Sequence, residues 1–151
     1  HKGNLYLFGN GGSHSIAEHI STDLNKRCNI STFTLSNNSL ITCYSNDFGY
    51  ENIFTEFLKS NKVSENDAII LISSSGKSKN ILNVLDTHYD SSPYISVICG
   101  FNGLNEKYQK LCNLYIHINS HNYGEVECTT MLLLHSIVEN IVYKIAKGKN
   151  G

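Results

Sequence analysis

A chain of 151 residues, 40% of them hydrophobic, is the size of one domain and can bury a full core, so no second domain is expected. Its formal charge of -1, without a basic run, gives no long-range attraction to nucleic acid or to an anionic membrane, and the expected partner is small. Five cysteines with no C-x-x-C pair argue against a disulfide framework, and there is neither a signal peptide nor an apolar run long enough to span a bilayer, so a cytoplasmic protein is expected. The first residue is not Met and the first strand begins almost at once, which points to a missing N-terminal piece.

The first predicted element is a short apolar strand, Leu5 to Phe8. It runs into Gly9-Asn10-Gly11-Gly12-Ser13 and then a helix over His14–Arg27, which contains no Gly or Pro, with Ser13 at the N-cap. A glycine loop opening a helix presents amide N–H groups and the positive end of the helix dipole, and its natural guest is a phosphate. The dinucleotide fingerprint does not fit. His14 stands where its third glycine belongs, and the second strand, through Thr32-Phe33-Thr34-Leu35-Ser36, offers no acid for a ribose.

That second strand is read over Ile30–Leu35 from its β-branched and aromatic residues. Turn residues Ser36–Ser39 follow, then a short helix over Leu40–Tyr44, a polar loop Ser45-Asn46-Asp47-Phe48-Gly49-Tyr50, and an amphipathic helix over Glu51–Ser60. Asp67–Ile72 is a near-continuous apolar run, the pattern of a strand buried on both faces of a parallel sheet. It empties into Ser73-Ser74-Ser75-Gly76-Lys77-Ser78, and a helix continues to about Thr87. Strands over Tyr94–Cys99 and Leu114–Ile118 flank a helix over Asn105–Cys112. The alternation predicts an α/β three-layer sandwich: a five-stranded parallel sheet with right-handed crossovers and helices on both faces. The last helix, Glu125 to Lys147, is apolar over more than one stripe, as either a subunit interface or a central core helix would be.

Serine is ordinary at a capped loop, but a hydroxyl-rich loop and a glycine loop at the carboxyl edge of one sheet together argue for phosphate recognition without metal. Lys77 does not make a Walker motif, since the preceding glycine spacing is absent. His19 and Asp23 lie four apart and share a helical face; Glu127 and His135 lie eight apart on the last helix, within about a quarter-turn of each other. Each pair alone is more often a surface or capped pair than a site, and for His135, set within the apolar Met131–Val138, the plain alternative is a core hydrogen bond. If the two helices adjoin, the four side chains could bind zinc or a similar divalent metal, or shuttle protons. His14, His117 and His121 receive no role.

Taken together, the glycine loop, His19 six positions after Ser13, the Ser45–Tyr50 stretch, Ile72–Ser78 and the spaced Glu127 and His135 resemble the phosphoheptose isomerases, sugar isomerase (SIS) domain proteins with a flavodoxin-like fold. The resemblance implies a single SIS domain preceded by a helix. It also implies that Ser13, Ser73, Ser75 and Ser78 hold a sugar phosphate, with Ser74 supplying backbone. Asn10, Gly11 and Gly12 would line the site, Asn46 and Asp47 would meet sugar hydroxyls, and Glu127 would also contact substrate. His19, Asp23, Glu127 and His135 would carry one zinc per site, and Asp23 with His135 would be the acid/base pair. The family pattern has a glutamate where Asp23 stands and a glutamine where Glu127 stands. A cytoplasmic homotetramer whose sites are completed by neighbouring chains is implied. So is a ketose-to-aldose isomerisation, sedoheptulose 7-phosphate to a heptose 7-phosphate through an enediol, feeding lipopolysaccharide or capsule synthesis. The alternative is a non-catalytic SIS module: a sugar-phosphate sensor, or a tetrameric adaptor similar to the replication-initiator-binding proteins.

Overall fold

A computed structural model describes residues 3–88 and 93–148. In chain order the elements are β1 (Leu5–Phe8), α1 (Gly12–Cys28), β2 (Thr32–Phe33), α2 (Asn38–Phe48), a 3-10 turn (Tyr50–Asn52), α3 (Ile53–Ser60), β3 (Ala68–Ser73), α4 (Lys79–His88), β4 (Tyr94–Cys99), α5 (Glu106–Gln109), β5 (Leu114–His117) and α6 (Tyr123–Gly148). The five strands form one sheet in the order β2-β1-β3-β4-β5, with every neighbouring pair parallel.

Strand periodicity divides the apolar residues between two cores. Tyr6, Phe8, Ile69, Leu71, Ile95 and Val97 meet Phe54, Phe57 and Leu58 of α3 and Ile81, Val84 and Leu85 of α4 on one face. Leu7, Ile72 and Ile98 meet Ile16, Ala17, Ile20 and Leu24 of α1 and Leu134 and Val138 of α6 on the other. Successive residues of each central strand thus pack into opposite layers, which is why the strands read as unbroken apolar runs.

Three local readings are corrected. The second strand is only Thr32–Phe33. It is an edge strand, and the Asn25 side chain of α1 takes the Thr32 backbone from outside, accepting from its N–H at 3.3 Å and donating to its carbonyl at 3.2 Å. The polar stretch Ser45–Phe48 is not a loop but the second half of α2. Asn37 caps that helix by accepting from the amides of Ser39 (2.9 Å) and Leu40 (3.2 Å). Leu40, Ile41 and Tyr44 pack against the core from it, and Gly49, with φ 85°, ends it. Ser13, finally, is not an N-cap: Gly11 holds that position with φ 54°, and Ser13 is inside the first turn, 4% exposed.

Of α6, Val126, Thr130, Leu134 and Val138 are buried, a single stripe four residues apart, while Leu132 is 69% exposed and Ile137 44%. A central core helix is therefore the wrong reading of its wide apolar arc.

Candidate active site

The strand order places β1 beside β3, and the crossovers leaving those strands run to opposite sides of β1. In such a sheet the crevice for a ligand opens at the carboxyl ends of those two strands. The glycine loop follows β1 and the serine loop follows β3, so both border that crevice. Between them lies a cleft of about 290 Å³ lined by Asn10, Gly11, Gly12, Ser13, Ser73, Ser74, Ser75, Ser78 and Glu127, with Ile72 and Tyr123.

Each loop has a local reason for its shape. Gly9 passes so close to Ser13 that a side-chain carbon would sit 2.6 Å from the Ser13 carbonyl carbon, and Gly11 has a positive φ of 54°. The Ser13 amide then donates to the Asn10 carbonyl at 3.0 Å, turning the chain into α1. Across the cleft, Gly76 (φ 66°) makes the bend. Its amide donates to the Ser73 carbonyl at 3.1 Å, Lys77 N–H donates to Ser75 Oγ at 3.2 Å, and Ser73 Oγ donates to Ser78 Oγ at 3.4 Å. The Ser78 carbonyl takes the first hydrogen bonds of α4, from Ile81 and Leu82, both at 3.0 Å. Hydroxyl donors and two helix N-termini thus converge on a cleft whose lining includes one carboxylate and no Lys or Arg. Neutral donors and helix dipoles in a concave site suit a phosphate group.

Helices α1 and α6 pack side by side on one face of the sheet, and their contact gathers His19, Asp23 and His135. Asp23 Oδ2 is 3.8 Å from His19 Nε2 and 3.6 Å from His135 Nδ1. The two imidazoles lie 5.0 Å apart, edge to face. One ligand atom from each of the three residues falls within 4.8 Å of the others, a set of two nitrogens and one carboxylate oxygen able to hold a divalent metal. Arg27 stands behind it, its Nη1 3.9 Å from Asp23 Oδ2 and 2.6 Å from Glu139 Oε1. That hydrogen bond holds the Glu139 carboxyl below its usual range.

Glu127 lies apart from the triad among the described residues. Its carboxylate covers Gly12, where an added methyl group would collide with it, and it lines the phosphate-sized cleft. It also lines a second, wider hollow of about 550 Å³, together with Gly12 and His135. The two hollows share Gly12 and Glu127, so His135 lies one step along the surface from the serine loop. Asn46 and Asp47 do not line either hollow. They are exposed near the end of α2, where Asn46 Nδ2 donates to Asp47 Oδ1 at 2.8 Å and Cys43 Sγ donates to Asp47 Oδ2 at 3.5 Å.

Sequence reasoning missed Tyr50, Asn80 and Tyr123. The Asn80 carboxamide exchanges two hydrogen bonds with Asn10, and Tyr50 Oη donates to Asn10 Oδ1 at 2.9 Å. Tyr123 borders the cleft with its ring 4.7 Å from that of Phe101. A polar residue two positions into a helix that follows a serine loop is a weak signal, but it was the one available for Asn80. The unassigned histidines sit elsewhere: His117 Nε2 is 2.9 Å from the Phe101 carbonyl, His121 stacks edge-on against Phe101, and His14 lies 3.7 Å from Glu18. All five cysteines are free thiols. No helix among the described residues is long and apolar enough to cross a membrane.

Comparison with known proteins agrees with this geometry. Residues 1–90 match the SIS domain family. The phosphoheptose isomerase of Buchnera aphidicola subsp. Schizaphis graminum is 32% identical over 95% of this chain and 77% of its own length. That of Helicobacter pylori (strain HPAG1) is 30% identical over 93% of this chain and 74% of its own length. The fold superposes on a phosphoheptose isomerase from Francisella tularensis with a TM-score of 0.82, covering 94% of this chain and 76% of that one at 24% identity. With the sheet, both loops and the extent of the match in agreement, this chain belongs to the SIS domain family and, within it, to the phosphoheptose isomerases.

Proposed function

We propose that the chain is a sugar-phosphate isomerase of heptose synthesis, converting sedoheptulose 7-phosphate to a heptose 7-phosphate. The observation that carries this is the adjacency of a serine- and glycine-lined cleft to a His-Asp-His cluster, through the shared residues Gly12 and Glu127. The phosphate occupies the cleft on the hydroxyls of Ser13, Ser73, Ser75 and Ser78, with Ser74 and the Asn10–Gly12 loop contributing backbone. The sugar then extends past Glu127 toward His135.

Isomerisation moves one hydrogen between neighbouring carbons and one between their oxygens. A base takes the proton from the carbon beside the ketose carbonyl, the electron pair of that C–H bond becomes the C=C bond of an enediol, and the carbonyl oxygen is protonated. A proton then returns to the former carbonyl carbon while the hydroxyl on the neighbouring carbon gives up its own, and the aldose carbonyl forms there. Asp23 and His135 are the acid/base pair. His135 turns Nδ1 toward Asp23, 3.6 Å away, which leaves Nε2 free to face the substrate. His19, Asp23 and His135 fit a zinc site in donor type and in mutual distance, and Glu127 stands where the family pattern has a glutamine. A zinc ion held by these residues would supply Lewis-acid stabilisation of negative charge on a substrate oxygen.

The working unit is a cytoplasmic homotetramer supplying heptose for lipopolysaccharide or capsule. The exposed apolar side of α6 supports assembly, and Asn46 and Asp47, exposed on α2, are available to a site completed by a neighbouring chain. The adaptor alternative is not favoured, because this chain keeps both histidines and an acid between them. The test is direct detection of aldose from sedoheptulose 7-phosphate, before chelation, after it, and after zinc is restored. We expect turnover that falls on chelation and returns with zinc. No product from zinc-loaded protein overturns the isomerase.

A further inference from the structure

Asn10 lines the cleft between the glycine and serine loops, yet its carboxamide is engaged with Asn80 and Tyr50. Its Nδ2 donates to Asn80 Oδ1 at 2.9 Å, and its Oδ1 accepts from Asn80 Nδ2 at 2.8 Å and from Tyr50 Oη at 2.9 Å. Both lone pairs of that oxygen are thereby taken, and only one N–H of the carboxamide is left for a ligand. Asn80 is 2% exposed and does not line the cleft. It stands in the first turn of α4, the helix that the serine loop opens, whereas Asn10 is in the glycine loop. The amide pair is therefore a two-bond clasp between the two loops.

Helix α4 also grips the 3-10 turn that carries Tyr50. One turn beyond Asn80, Asn83 Nδ2 donates to the Glu51 carbonyl and to Asn52 Oδ1, both at 3.0 Å. Tyr50, 52% exposed, closes the clasp from the solvent side. Three segments far apart in sequence thus meet at one carboxamide.

We propose that Asn80, backed by Tyr50, is a positioning residue: it fixes the separation of the glycine loop from the serine loop and so sets the affinity of the cleft for a phosphate group. This rests on the phosphate reading of the cleft given above. Donors arrayed on two loops act together only at one spacing, and a shift of about 1 Å is enough to weaken them by an order of magnitude or more. Neither Asn80 nor Tyr50 lines the hollow that holds His135, so loss of the clasp acts on binding rather than on proton transfer.

The experiment measures inorganic phosphate binding by calorimetry, and KM and kcat for the sugar phosphate, in wild type, Asn80→Ala and Tyr50→Phe. Expected are phosphate binding and KM both weakened about tenfold in Asn80→Ala and about threefold in Tyr50→Phe, with kcat within about twofold of wild type. Tyr50→Phe removes one exposed hydroxyl and decides the matter if Asn80→Ala does not fold. Wild-type phosphate affinity in the folded variants overturns the clasp. So does a fall in kcat with KM unchanged, which is the mark of a merely structural loss. Wild type that binds no phosphate overturns the phosphate reading and the clasp with it.

Discussion

Asp23 sits among three basic groups: two imidazoles from different helices and the Arg27 guanidinium, all within 4 Å of one carboxylate oxygen. The i, i+4 spacing on one helix made His19 and Asp23 legible as a pair. That His135 joins them depends on how α1 and α6 cross, which no local pattern encodes. The proposed division of labour separates kinetically. His135→Gln keeps a hydrogen-bonding side chain of similar reach but cannot shuttle the proton, so kcat should fall by at least about a hundredfold with the circular dichroism spectrum unchanged. Ser75→Ala should raise KM several-fold and spare kcat. Equal effects on both constants in the two variants would contradict these roles.

At the scale of elements, the amino edge of the sheet is held by Asp67, which precedes β3. Its Oδ1 accepts from the Asn4 amide at 2.7 Å, just before β1, and its Oδ2 accepts from the Ser64 amide at 2.8 Å and from Ser64 Oγ at 3.1 Å. Burial works to raise its pKa, but these hydrogen bonds outweigh burial and hold the carboxyl below the usual range. A depressed folded pKa means that the stabilisation is fully present above the unfolded value, near pH 4, and is lost as pH falls through the folded value. Asp67→Asn should thus cost on the order of 1–3 kcal/mol at neutral pH, and the gap to wild type should narrow as pH falls below about 4. Urea midpoints at pH 7 and pH 3 check this, and a gap independent of pH would disprove it. The same scale explains the misread α2. Its Ser-Asn-Asp composition is turn chemistry, but the Asn37 cap and the packing of Leu40, Ile41 and Tyr44 outweigh weak propensity.

For the whole molecule, α6 puts Leu134 and Val138 into one of the two cores and leaves Leu132, Ile137 and Tyr143 exposed among polar residues on its other side. An interface there predicts that Leu132→Asp changes the chain's own stability by less than about 0.5 kcal/mol, because the residue is already 69% exposed, while light scattering shows a smaller assembly. Wild-type mass in that variant would remove α6 from the interface.

What the sequence alone determined follows from short-range periodicity: the apolar runs of the central strands, the helices between them, and the two loops whose glycines and serines shape a phosphate-sized turn. Strand and helix periods are properties of neighbours in the chain, so they can be read without the fold. Tertiary structure decided the rest. It shortened the edge strand, continued a helix through Asn46 and Asp47, joined His135 to His19 and Asp23, moved Glu127 over Gly12, and locked Asn10 to Asn80. Each of these depends on contacts between segments distant in sequence, whose distances are set by packing and by hydrogen-bond satisfaction in the folded chain.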